Sequence, residues 1–166
     1  AMDLFGFAQL PIAWSGRAQP IDSVARTQLL VTSHKSTFEG ELDAAELSSP
    51  KRREKLLKEY SKAWPSAPAK DLEAFNGTYP EWIEKISSIT SSGAESVEER
   101  MRPLMIRRMP AVHWFLDVVS RPEVAARHRV IKIEDDQVLS LLGLEKRGGM
   151  TYSLVEIQKN LMNEIK

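Results

Sequence analysis

Motifs that start helices recur along this chain and constrain its fold more than any other feature. In the S/T-x-x-E motif, the first hydroxyl accepts the amide proton of the fourth residue, whose carboxylate accepts the amide proton of the first. The motif occurs at Ser36–Glu39, Thr78–Glu81, Ser96–Glu99, Ser120–Glu123 and Ser153–Glu156. Prolines and glycines interrupt the intervening stretches, and alternating apolar runs are nearly absent. We therefore predict a mainly α-helical single domain of seven to nine short helices.

The stretch from Met109 to Val119 is expected to form the centre of the core. Its apolar residues cover nearly every side of a helix, which is typical of a segment that is buried on all faces. The helix that begins at Ser49-Pro50 has one apolar stripe with Leu56 in it, and the helix after Thr78 has another with Trp82. These two patterns predict amphipathic helices.

The chain after residue 129 has a different character. Residues 130–133 are rich in β-branched side chains, and a turn at Gly148-Gly149 would allow residues 150–152 to pair with them. Asp135 or Asp136 is expected to cap a helix that ends at Gly143. A last helix follows Ser153, with an apolar stripe made of Leu154, Ile157, Leu161 and Ile165.

A chain of 166 residues has the length of one ordinary domain. Within it we expect an extended N-terminal arm over 1–20, because Gly6 and Pro11 disfavour a long helix there. A helical body over 21–129 would carry a small α+β subdomain over 130–166, packed on the body. The start Ala1-Met2 is typical of tag removal, so we expect a domain excised from a longer protein.

The composition excludes several classes of function. The chain has no cysteine, which removes disulfides, thiolate catalysis and every zinc or iron–sulfur site that needs a thiolate. Its 23 basic and 23 acidic residues balance, so the net charge favours no particular partner. No apolar run has the ~18 residues of a membrane span. We expect an intracellular protein, cytoplasmic or nuclear, without a membrane partner.

Local clusters of cations are the candidate contact sites. Four arginines precede the apolar stretch 109–119 and three follow it, and a second basic group occupies the first turns of the helix after Ser49, where the helix dipole disfavours cations. The candidate partner- or phosphate-binding residues are Arg100, Arg102, Arg107, Arg108, Arg121, Arg127, Arg129, Lys51, Arg52 and Arg53. The alternative is that these side chains pair with nearby glutamates such as Glu98 and Glu123.

Motifs for nucleotide, metal or cofactor chemistry are weak or missing. The phosphate-binding loops and the nucleophile elbow of hydrolases are absent. His113 and Asp117 have the spacing of two metal ligands on one helical face, but no third ligand lies nearby, which favours a hydrogen-bonded core histidine. The interval between the last two helices is longer than the roughly 3 to 4 residues of a helix-turn-helix connection. We predict no cofactor and no metal.

These patterns favour a non-enzymatic helical interaction domain that binds a protein or nucleic-acid partner through charged surfaces. The alternative is a metal-dependent phosphodiester hydrolase that uses Glu134, Asp135 and Asp136, with Lys132 assisting.

Overall fold

The computed structural model describes residues 3–164, with side chains described as far as Met162. The expected tag remnant at Ala1-Met2 and the predicted stripe position Ile165 lie outside these residues. The helices are α1 (Leu4–Gln9), α2 (Ile21–Ser33), α3 (Ala44–Leu47), α4 (Pro50–Ala63), α5 (Lys70–Glu73), α6 (Tyr79–Thr90), α7 (Ala94–Met105), α8 (Ala111–Ser120), α9 (Pro122–Ala125), α10 (Asp136–Leu141) and α11 (Leu154–Glu164). The strands are β1 (Pro11–Trp14), β2 (Arg17–Pro20), β3 (Thr37–Glu41), β4 (Ile106–Pro110), β5 (Ile131–Lys132) and β6 (Thr151–Tyr152).

The fold is mostly helical, as predicted, but the helix count was too low. The described residues form eleven helices, three of which have only four residues. Short apolar or capped stretches such as Ala44–Leu47 and Lys70–Glu73 make single turns that the periodicity of the sequence does not reveal.

The chain forms two compact units instead of packing around one core. Unit I comprises the described parts of residues 1–40 and 108–166, and unit II comprises Glu41–Arg107. Both unit boundaries fall within strands β3 and β4, which pair with each other. The predicted division into a helical body over 21–129 and a small α+β subdomain over 130–166 packed on it stays a prediction.

Unit II has one hydrophobic cluster, built mainly by α4, α6 and α7. Leu56, Tyr60, Trp82 and Met105 are among its fully buried members. The predicted box at Thr78 and Glu81 caps α6, and α4 begins at Pro50, as the Ser49-Pro50 pair predicted. The local rules and the packing agree in this unit.

Unit I has two hydrophobic clusters. The larger one joins α2 and α8 and includes Leu29, Phe38, Met109 and Val112. The smaller one contains Leu139, Leu144 and Tyr152, with Ile157 of α11 partly buried against them. The predicted pairing near residues 130–133 and 150–152 is confirmed, since β5 and β6 are antiparallel, with Ile131 opposite Tyr152.

The N-terminal segment is not an extended arm. The Asp3 side chain accepts a hydrogen bond from the Gly6 amide at 2.9 Å, which starts the short helix α1 despite the glycine. After α1, strands β1 and β2 form a hairpin with Ile12 opposite Gln19, and Ser15 and Gly16 take positive φ in its turn. A cap and a two-residue turn suffice to order residues that lack helical periodicity.

The predicted helix after Ser36 is instead strand β3. Phe38 and Gly40 are buried while Glu39 is exposed, so burial alternates with the period of a strand. A Cβ at Gly40 would lie 2.5 Å from the Met109 sulfur, so a larger residue there would force the Met109 side chain to move. The short helix α3 follows, with Asp43 as its cap.

Two other predicted boxes do not form. Ser96 lies inside α7, which starts at Ala94, and the Ser120 hydroxyl donates to the Leu116 carbonyl at 2.7 Å at the end of α8. Ser96 follows the start of α7, and Ser120 is the last residue of α8, so neither serine occupies an N-cap position.

The stretch 109–119 is not buried on all faces. Residues 106–110 form β4, and only Ala111, Val112 and Asp117 of α8 are buried. Val119 is 71% exposed. The apolar residues all around this helix therefore include a face that none of the described residues of unit I covers.

Within residues 3–164, no helix combines the length and the apolar composition that crossing a membrane requires.

Replacing Leu29 with alanine should destabilise the protein by about 3 kcal/mol, because it empties a fully buried position between α2 and α8. The control Val119→Ala should change stability by less than about 0.5 kcal/mol, since its side chain is mostly exposed. Urea unfolding followed by circular dichroism measures both. A larger loss for Val119→Ala than for Leu29→Ala would contradict this placement of the core.

Candidate functional site

The best-defined charged site in unit I surrounds the carboxylate of Glu156, near the start of α11. Its Oε1 accepts from Arg129 Nη2 at 2.8 Å and from Arg147 Nη1 at 2.7 Å. Its Oε2 accepts from the backbone amide of Ser153 at 2.8 Å and from the Ser153 hydroxyl at 3.0 Å. The Glu156 amide in turn donates to the Ser153 hydroxyl oxygen at 3.2 Å, so the predicted capping box is confirmed.

The Glu156 site holds its carboxylate in the ionised form. Burial raises the pKa of Glu156, but hydrogen bonds from Ser153 and Arg147 and the charge and hydrogen bond of Arg129 outweigh burial and lower it to about 2. The Arg147 guanidinium also lies 4.7 Å from the centre of the Tyr152 ring, which is fully buried. The network therefore joins α11 to the residues before β5 and β6.

The orientation of Glu156 fixes which face of α11 is exposed. The Val155 amide donates to the Ala126 carbonyl at 3.1 Å, and Ile157 packs on the smaller cluster of unit I. At about 100° per residue, Leu154, Val155, Leu161 and Met162 lie on the side of the helix away from Glu156. All four are exposed. We call them, with the exposed Gln158 between them, the outer stripe of α11.

This outer stripe changes the interpretation of the predicted stripe of Leu154, Ile157 and Leu161. Only Ile157 packs inward, whereas the two leucines are more than a third exposed. The sequence indicated apolar spacing but not which side of the helix the unit would cover.

A second buried carboxylate, Asp117, lies in α8. It accepts a hydrogen bond from Arg121, one turn later, and its Oδ2 lies 2.8 Å from His128 Nε2. Burial raises the pKa of Asp117, but the neighbouring His113, His128 and Arg121 outweigh burial and hold it well below its usual range. The pair of Asp117 and His128 fastens the residues after α9 to α8.

The buried histidine of this region is His128 and not His113, which we expected to be the hydrogen-bonded core histidine. Nδ1 of His113 lies 3.6 Å from Asp117 Oδ2, beyond hydrogen-bond distance, and its side chain is 28% exposed. His128 is buried against the Phe38 ring, with ring centres 4.7 Å apart. The partner of His128 is eleven residues away in sequence, so helical spacing did not indicate it.

The acidic triplet does not converge on one point. Glu134 pairs with Lys132 at 2.6 Å, Asp135 caps α10, and Asp136 pairs with Lys146 at 2.8 Å. In the part of the chain that the structure describes, no three His, Asp or Glu side chains are arranged to hold a metal ion.

The predicted basic residues divide between the two units. Unit II contains Lys51, Arg52, Arg53, Arg100, Arg102 and Arg107, and unit I contains Arg108, Arg121, Arg127 and Arg129. Several of these side chains bind their own unit. Arg52 donates to the Leu104 carbonyl and Arg53 donates to the Glu73 and Phe75 carbonyls, at 3.1 to 3.3 Å.

Three more arginines of unit II also contact residues of their own unit. Arg102 pairs with Glu98 at 3.6 Å, and Arg107 pairs with Glu46. The Arg100 guanidinium lies 5.8 Å from the centre of the Trp64 ring. Arg127 also has a partner, whereas Arg108 and Lys51 are exposed. The prediction named Glu98, but the partners Glu46 and Glu156 were missed because they depend on tertiary packing, and Asp117 was missed although it lies one helical turn before Arg121.

Comparison with protein-family models, with curated proteins and with solved structures finds no match for this chain.

The variant Glu156→Gln should be less stable than the natural protein at neutral pH, by up to about 3 kcal/mol. A carboxylate with a lowered pKa stabilises the fold fully above its unfolded pKa, and this contribution disappears as the pH falls toward about 2. The natural protein should thus lose stability steeply below about pH 5, and the variant less steeply. Urea unfolding across this pH range measures both.

The exposed Glu123 provides the control, since Glu123→Gln should leave the slope of stability against pH nearly unchanged. Identical slopes for Glu156→Gln and the natural protein would show that the Glu156 network does not stabilise the fold.

Proposed function

We propose that this chain is a non-enzymatic interaction domain that binds a protein partner through unit I. One observation carries the proposal: among the described residues, the exposed large apolar side chains all lie in unit I. They are Phe5, Leu10, Trp14, Leu30, Val31, Val118, Val119, Val138, Leu141, Leu154, Val155, Leu161 and Met162.

The contrast between the units supports this interpretation. None of the described large apolar side chains of unit II is exposed, and most of them pack into its one hydrophobic cluster. Exposed apolar side chains cost free energy in water and favour aggregation, so a concentration of them in one unit is typical of an interaction surface. In α2, α8 and α11 they occur as adjacent pairs, such as Leu30 with Val31 and Val118 with Val119.

The charged side chains favour a protein partner over a nucleic acid. Most of the predicted arginines already bind carboxylates, carbonyls or a ring of their own unit, so releasing them for phosphates would break those contacts. Exposed cations such as Arg108 are more suitable for the polar rim that surrounds the apolar centre of an interface. The separate partners of Glu134, Asp135 and Asp136 make the hydrolase the weaker alternative.

Site-specific photo-crosslinking in lysate of the source cells tests the proposal. A photoreactive residue at Met162 or Val119 of unit I should give discrete adducts at a high yield, because these positions lie on exposed apolar surface. The same residue at the exposed Glu84 or Lys58 of unit II provides the matched control and should give few adducts.

Equal yields from both units would contradict the proposal. So would binding of duplex DNA or RNA much tighter than the ~0.1 mM of non-specific contacts at near-physiological salt, because the partner would then be a nucleic acid.

A further inference from the structure

The outer stripe of α11 has the pattern of a helix that pairs with another helix. Leu154 and Leu161 are seven residues apart, as are Val155 and Met162, and Gln158 lies between the two leucines. With Leu154 and Leu161 in d positions of a heptad, Gln158 takes the a position and the other two residues take e positions. At about 100° per residue, the stripe covers an arc of roughly 120°.

We propose that the outer stripe binds a second copy of the chain, with α11 parallel to α11 across a two-fold axis. This inference rests on the proposed function. In such a pair each a and d residue lies opposite the same residue of the partner. Leu154 therefore packs on Leu154, Gln158 on Gln158 and Leu161 on Leu161.

The chemistry of the stripe favours self-association. Gln158 is its only polar residue, and an amide carries both donors and an acceptor, so two glutamines satisfy each other. A purely apolar partner helix would bury the Gln158 amide without a hydrogen bond. Charged residues of a partner opposite the stripe would lose their hydration and would find no opposite charge there.

Charge also permits two copies to approach. The five residues of the stripe are uncharged, so self-pairing brings no like charges together in its centre. Lys159 lies at its edge, where it already has a contact. Glu156 faces the opposite side, and its network with Arg129 and Arg147 balances its charge there.

The anchoring of α11 prepares this surface before association. Because Glu156, Ser153 and the Val155 amide are all bonded within unit I, the first turn of the helix cannot rotate freely. A fixed stripe loses less conformational freedom on binding than a mobile one. The contact is short, about 13 Å at 1.5 Å per residue, so we expect a weak dimer that forms only at high protein concentration.

Charge-swap variants at the centre of the stripe test this pairing. The full chain should shift from monomer to dimer with rising concentration in sedimentation velocity. Gln158→Lys and Gln158→Glu should each stay monomeric, because identical charges would then face each other. An equimolar mixture of the two variants should recover the dimer at or above the natural affinity, since opposite charges now pair.

The same two substitutions at Gln137, an exposed glutamine of α10, are the matched control. Both Gln137 variants should dimerise as the natural chain does, and circular dichroism should show that all four variants keep their helix content. Gln158→Lys and Gln158→Glu chains that each dimerise as well as the natural chain would overturn the proposal, because the dimer would then use another surface.

A natural chain that stays monomeric throughout would also overturn the self-pairing. The crosslinking experiment separates that result from a failure of the proposed function: adducts to a different protein at Met162 would leave the interaction domain intact. The absence of adducts at every unit I position would contradict both proposals.

Discussion

The arrangement of the C-terminal part of unit I depends on the hydrogen bonds that the Glu156 carboxylate accepts. Two arginines from different segments and the first residue before α11 all donate to it. It therefore caps α11, balances Arg129 and Arg147, and sets the rotation of the helix about its axis. Since Ile157 and Glu156 face the unit, the side of α11 with Leu154, Gln158 and Leu161 faces solvent.

Asp117 in α8 is held in a similar way, by Arg121 and His128. Each carboxylate is held by an arginine and by at least one further donor, and each has a pKa well below the ordinary range. Breaking a buried ion pair on one side leaves an uncompensated charge, which is far more costly than losing an exposed pair. Most of the arginines in this basic region of the sequence therefore already have contacts within the fold, and the apolar side chains of unit I are the surface that we propose for a partner.

The sequence predicted those features that depend on neighbours in the chain. The boxes at Thr78 and Ser153, the start of α4 at Pro50 and the cap of α10 at Asp135 all involve residues within one helical turn. The pairing of β5 with β6 is longer in range, because α10 lies between the strands, and the β-branched residues before α10 and the glycine turn before β6 indicated it. Where a competing tertiary contact existed, as for Phe38 and Gly40 in β3, the strand replaced the predicted helix.

Burial could not be predicted from apolar content in the same way. The stretch Met109–Val119 is strongly apolar, yet the chain leaves Val118 and Val119 in solvent and buries Asp117 beside them. The residues of both carboxylate sites have partners far away along the chain, as in the pairs Arg129–Glu156 and Asp117–His128. Helical periodicity does not indicate such pairs. An apolar stripe predicts that a helix face needs cover, but only the structure indicates whether the chain itself supplies that cover.

The oxidation rates of individual methionines test most directly whether the chain leaves the outer stripe of α11 exposed. In dilute peroxide followed by mass spectrometry, Met162 should oxidise much faster than Met101 and Met105, because it is 71% exposed whereas they are 1% and 0% exposed. At high protein concentration the rate at Met162 should fall, as the outer stripe becomes covered, and the two buried residues should stay slow. A Met162 rate as slow as that of Met105 in dilute protein would contradict the account, because the stripe would already be covered within the chain.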